Sequence, residues 1–148
     1  MTLLLAHSAV TLALVGLIWT IQVVHYPLMR LVGTGTWTRY HREHTLAITR
    51  VVAPLMFVEL GSALAIVALR PAGIPATAAW AGAALTLGVW ALTFFVSVPL
   101  HARLEHDPDR ATLARLVTTN WIRTLVWTAR GILVLAFVAW HTAALVPA

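Results

Sequence analysis

Four long apolar stretches dominate this chain of 148 residues. A membrane-spanning α-helix needs roughly 20 mostly apolar residues, and each stretch meets that length. The expected helices cover about residues 3–29, 37–69, 78–104 and 112–146, and segments rich in Gly, Pro and Asp separate them. The sequence therefore predicts an all-α fold, a four-transmembrane-helix bundle, with residues 1–148 forming a single membrane domain.

The composition agrees with that expectation and excludes several classes of protein. The chain is 60% hydrophobic and 10% charged, whereas soluble domains average about 25% charged residues. It has no cysteine, which excludes disulfides and thiolate metal sites. The net charge is +5, but the arginines flank apolar spans, so nucleic acid is not an expected partner. The expected partners are the lipid bilayer and a lipophilic small molecule, and the short chain is compatible with a homo-oligomer.

The arginines also predict an orientation. The second connection contains only Arg70, whereas the first and third contain most of the others. These are Arg30, Arg39, Arg42 and Arg50 in the first, and Arg103, Arg110 and Arg115 in the third. The positive-inside rule then predicts a multi-pass protein of a bacterial-type inner membrane, with connections one and three in the cytoplasm and both termini outside.

Several polar side chains should lie at one depth. At about 1.5 Å per residue, His25, His44, His101, Asn120 and Arg123 all fall near the cytoplasmic interface. Imidazoles from facing helices are typical metal ligands in helix bundles. We therefore predict a metal site formed by His25, His44 and His101, with His41 or Glu105 as a further ligand. Nitrogen and oxygen donors without thiolates suit Fe or Cu.

Two alternatives use the same residues. Two histidines on different helices could bind haem b in an electron carrier, with Arg30, Arg50, Arg103 or Arg123 neutralising the propionates. Interfacial His and Arg could instead contact only lipid headgroups and water, which is the expected role of His7, His106 and His141. Trp127 is expected either to line an aromatic cofactor or substrate pocket or to pack in the core.

Glu59 belongs to a different level. It follows His44 by 15 residues, or roughly 22 Å along a helix, and therefore lies nearer the bilayer centre. Arg130 is the only cationic partner expected at that depth. A buried Glu59–Arg130 pair is one interpretation. The other is a ligand or proton site, as in a small proton-coupled transporter that uses Glu59.

Short motifs add a resemblance to a known family. They are Val52-Ala53-Pro54-Leu55-Met56 ahead of Glu59, Val98-Pro99-Leu100-His101, and Asn120-Trp121-Ile122-Arg123 followed by Trp127 and Arg130. With them the chain resembles the small four-span bacterial membrane proteins grouped with anthrone oxygenases. The resemblance implies oxygen-dependent chemistry on an apolar, often aromatic, substrate, and it assigns no catalytic residue.

The function predicted from the sequence is a metal-dependent membrane oxidoreductase or oxygenase. Asn120 and Arg123 would orient the ligands or bind an anionic or phenolic oxygen of the substrate. Glu59 completes the candidate catalytic residues.

Overall fold

The protein is a bundle of four long helices. The computed structural model describes residues 1–106 and 108–146, and in this part of the chain it contains no strand. The helices are α1 (Thr2–Met29), α2 (Thr34–Leu69), α3 (Ala76–His106) and α4 (Arg110–Leu145). Their bounds lie within three residues of the expected ones. Each helix is long and apolar enough to cross a membrane, so the chain is a multi-pass membrane protein, and the predicted all-α four-helix bundle is confirmed.

The helices form a closed ring in which each packs against two neighbours. α1 contacts α2 and α4, and α3 likewise contacts α2 and α4. The outer surface is apolar. Phe57, Phe95 and Ile132, for example, are more than half exposed. Exposure of such a surface to water would be unfavourable, whereas lipid chains solvate it. The helices satisfy their own backbone hydrogen bonds, as a membrane requires. The polar side chains therefore gather inside the bundle.

Two turns show why the chain reverses where it does. Between α2 and α3, Arg70 and Gly73 have φ angles of 41° and 81°. A Cβ at Gly73 would overlap the backbone carbonyl of Trp140, so this turn requires glycine. Before α4, the Asp109 carboxylate accepts hydrogen bonds from Ala111 N (2.7 Å) and Thr112 N (2.8 Å), as expected of a helix cap. Hydrogen bonds from the side chain and backbone of Thr112 lower the pKa of Asp109.

Helices α1 and α3 each contain a π-helical turn, at Ile21–His25 and Thr93–Ser97. Each turn ends two residues before a proline, Pro27 or Pro99. Proline cannot donate to the carbonyl four residues earlier, and its ring clashes with that carbonyl. A wider turn relieves both problems. Each π turn also rotates the residues that follow it, so a 3.6-residue count no longer predicts which way they face.

Candidate functional site

A cavity of about 400 Å³ lies between α2 and α3. It occupies the end of the bundle at which α1 joins α2 and α3 joins α4, which we call the histidine end. Tyr26 from α1 and Arg123 from α4 also reach it. Its walls are mostly apolar, and they include Ile48, Val52, Met56, Phe57, Phe94 and Val98. Phe57 and Phe94 are more than half exposed, so the cavity opens on the lateral, apolar surface of the bundle.

Four imidazoles meet at the histidine end, and we call them the imidazole cluster (His25, His41, His44 and His101). His41 Nε2 and His101 Nδ1 share a hydrogen bond of 3.1 Å. The rings of His25 and His44 stack with centroids 4.2 Å apart, and the centroids of His44 and His101 are 6.3 Å apart. All but His25 line the cavity, as does the exposed Glu105. The structure thus brings all four predicted histidines together.

The imidazole cluster is compatible with a metal ion only in part. Within residues 1–106 and 108–146, no group of three or more His, Asp or Glu side chains is arranged to hold an ion. Within the cluster, His25 and His44 stack with their ring faces against each other. The 3.1 Å between His41 Nε2 and His101 Nδ1 nevertheless suits two nitrogens bound at about 2.0–2.1 Å to one ion. The metal site stays a prediction.

The haem alternative gains no support from these contacts. His41 touches His101 and His25 stacks on His44, so neither pair leaves room for a macrocycle between its members. Arg30, Arg50 and Arg103, three of the four expected propionate partners, are exposed and do not line the cavity, whereas the fourth, Arg123, lines it. The electron-carrier hypothesis stays a prediction that an optical spectrum can test.

Asn120 and Arg123 belong to one hydrogen-bonded chain at the base of the cavity. Gln22 Nε2 donates to the carbonyl of Val117 (3.2 Å), and Asn120 Nδ2 donates to Gln22 Oε1 (2.7 Å). Arg123 Nη1 then donates to Asn120 Oδ1 (3.1 Å) and to Ser97 Oγ (3.2 Å). The chain holds the Arg123 guanidinium in one orientation. Gln22 and Ser97 were absent from the predicted site, although the polar spacing along α1 and α3 could have indicated them.

The π turn in α1 separates two side chains that helical spacing places on one face. Helical spacing predicts that Gln22 and His25 share a face. In the structure, Gln22 bonds to α4, whereas the His25 ring lies against His44 and Tyr40 of α2. The two side chains therefore contribute to different parts of the site.

Trp127 joins the two polar levels of the bundle. The Arg123 guanidinium carbon lies 5.2 Å from the centroid of the Trp127 ring, a cation–π contact. On its other side, Trp127 Nε1 donates to Glu59 Oε2 (3.1 Å). Trp127 is 1% exposed and does not line the cavity, so its observed contacts are those of a core residue that links the levels.

The expected Glu59–Arg130 ion pair is present. Arg130 Nε lies 3.0 Å from Glu59 Oε1, and the two side chains are 1% and 0% exposed. Arg130 Nη1 also donates to the carbonyl of Gly82. Both carboxylate oxygens of Glu59 therefore have partners, and Glu59 does not line the cavity. Its roles in catalysis and proton-coupled transport stay predictions that this arrangement does not favour.

Two of the outlying histidines differ from expectation. His7 and His141 are buried rather than in contact with headgroups. His7 Nδ1 lies 2.7 Å from Ser62 Oγ, and His141 Nδ1 lies 2.9 Å from the carbonyl of Ala72. A polar group buried in an apolar bundle needs such a partner, and both partners come from distant parts of the chain. His106 is exposed, as expected.

Neither family models, nor curated proteins, nor solved structures match this chain. The resemblance to anthrone oxygenases therefore stays a prediction, and the functional argument depends on the geometry of the site.

Proposed function

We propose that this chain is a membrane oxidoreductase that binds a lipophilic small molecule in the lateral cavity and oxidises it at the imidazole cluster. One observation carries the proposal. An apolar cavity that opens on the lateral surface is lined by three members of a four-imidazole cluster. A lipophilic molecule could enter it from the bilayer without crossing water.

Aromatic side chains favour a substrate with a flat apolar body. Trp90 lies between Phe57 and Phe94 on the cavity wall, with ring centroids 5.0 and 5.5 Å away. Such rings offer both faces and edges for contact with another aromatic system. This wall agrees with the aromatic substrates that the sequence resemblance implies.

The donor set of the imidazole cluster suits a transition metal. His41 and His101, whose facing nitrogens lie 3.1 Å apart, would hold the ion, and His44 or Glu105 would have to reorient to become a further ligand. Imidazole nitrogens without thiolates suit Fe or Cu. A bound ion would supply the activation of dioxygen. The neighbouring Arg123 would orient the substrate.

Elemental analysis and an optical spectrum of the protein purified in mild detergent test this proposal. We expect stoichiometric Fe or Cu without a Soret band, and loss of the metal in His101→Ala and His41→Ala. His106→Ala, an exposed histidine on the same helix as His101, is the matched control and should retain the metal. A metal-free wild type, or full retention in both cluster variants, would refute the metal assignment. A Soret band would favour haem b.

We further propose that the histidine end faces the cytoplasm of a bacterial-type cell. Arginines are concentrated in the connections at this end, which the positive-inside rule places in the cytoplasm. A periplasmic phosphatase fused to the carboxyl terminus should then be active, and a cytoplasmic reporter there should be silent. The reverse pattern would contradict the orientation.

A further inference from the structure

Arg123 is a buried cation without a carboxylate partner in the part of the chain described. Its exposure is 8%. Among the described residues (1–106 and 108–146), the one ion pair within 4.0 Å is that of Glu59 and Arg130. Arg123 Nη1 meets only neutral oxygens, those of Ser97 and Asn120. A buried charge is costly unless an opposite charge and hydrogen bonds compensate it.

The neighbours of Arg123 supply hydrogen-bond acceptors but no negative charge. Asn120 uses its amide nitrogen on Gln22, and Gln22 uses its own on the carbonyl of Val117. The ring of Trp127 contributes a cation–π contact, which is weaker than an ion pair and adds no negative charge. The counter-charge must therefore come from outside this network.

Unpartnered hydrogen-bonding atoms on the cavity wall indicate what is missing. Arg123 Nε, Trp90 Nε1 and His41 Nδ1 are buried without a hydrogen-bond partner, and all three residues line the cavity. Arginine and tryptophan side chains can only donate. The missing group must therefore be an acceptor, and beside Arg123 it should carry negative charge.

The remainder of the cavity determines the other part of the ligand. Val52, Met56, Phe57 and Phe94 give it an apolar wall and a lateral mouth. A volume of about 400 Å³ falls within the range of sites for small molecules. The ligand would thus combine a charged group with an apolar body.

We infer that the ligand of this cavity is an amphipathic anion, with its negative group against Arg123 and its apolar body between α2 and α3. The inference rests on the proposed function, because it names the substrate class of the same cavity. It depends on the uncompensated guanidinium and the orphan donors, and it is independent of whether the imidazole cluster binds metal.

Two fluorescent probes that share an aromatic body, and that differ in charge and by one methyl group, test it. Pyrenebutyric acid carries a carboxylate on an aromatic body, and its methyl ester is uncharged. We would titrate both into the protein in nanodiscs of phosphatidylcholine. The acid should bind at least about tenfold more tightly than the ester. Arg123→Met should remove this preference. Arg115→Met, an exposed arginine earlier on the same helix, is the matched control and should keep the preference.

A second variant supplies the missing charge instead of removing the arginine. Asn120 Oδ1 already accepts from Arg123, so Asn120→Asp places a carboxylate there, with loss of the N–H that donates to Gln22 Oε1. It should also abolish the preference for the acid, and it keeps the test valid if Arg123→Met fails to fold.

Each outcome separates this inference from the proposed function. Equal affinity of the wild type for acid and ester, or an unchanged preference in both variants, would overturn the inference while leaving the cavity a lipophilic site. Binding of neither probe would overturn both the inference and the cavity's role. Displacement of the acid from the wild type by phosphatidylglycerol, with no displacement from Arg123→Met, would support the inference with a lipid headgroup as the anion. Absence of displacement would support it with a free amphiphile.

Discussion

Arg123 and Arg130 are two buried arginines on the same helix, seven residues apart, in opposite electrostatic situations. Roughly 10 Å of helix separates them. Arg130 meets the Glu59 carboxylate at 3.0 Å and the carbonyl of Gly82. Arg123 meets neutral oxygens and an aromatic ring beside a cavity. Burial of a charge is common to both, so burial by itself does not indicate function. What distinguishes the candidate site is a charge that the described protein leaves uncompensated.

The largest effect on stability is expected when the Glu59–Arg130 ion pair loses its arginine. Arg130→Met leaves the Glu59 carboxylate buried without a counter-charge, and we expect it to lower the free energy of unfolding by about 3–5 kcal/mol. Chemical unfolding in mixed micelles measures this. The double variant Glu59→Leu/Arg130→Met removes both charges and should recover most of the loss. A double variant as unstable as the single one would show that the pair does more than balance charge.

Trp127 connects the two levels and permits an intermediate test. Trp127→Phe keeps an aromatic ring near Arg123 but removes the N–H that bonds to Glu59 Oε2. An unsatisfied buried acceptor costs about 1–3 kcal/mol. We therefore expect Trp127→Phe to lower the free energy of unfolding by that amount. Its preference for the acid over the ester should stay unchanged in the probe titration. If the preference disappears instead, the indole itself belongs to the binding site.

The smallest effect on stability is expected at Arg123, which has no carboxylate partner among the described residues. Arg123→Met loses hydrogen bonds to neutral oxygens but also removes a charge that is unfavourable in the ligand-free protein. We expect its free energy of unfolding to stay within about 1 kcal/mol of the wild type. The same Arg→Met change would thus affect folding at residue 130 and binding at residue 123. Equal destabilisation at both positions would contradict the comparison.

The sequence predicted the levels of these residues well. Apolar length defines the spans, and the rise per residue then places His25, His44 and His101 at one end and Glu59 well away from them. The Glu59–Arg130 pair could be anticipated because Arg130 is the only cation expected near that depth. Contacts that depend on rotation about a helix axis could not be anticipated. His7 and His141, expected at headgroups, found partners in Ser62 and Ala72 that no periodicity indicates.

By itself, then, the sequence determined that this is a four-span membrane bundle and which polar groups share a depth. Hydropathy and helical rise are properties of one segment and need no knowledge of its neighbours. Only the tertiary structure decided how the imidazoles pair and that Gln22 orients Asn120. It also decided that Arg123 lines an open cavity and that no carboxylate of the described residues pairs with it. The reason is rotational. Two proline-associated π turns change the facing of α1 and α3, and the packing of four helices then decides which side chains meet.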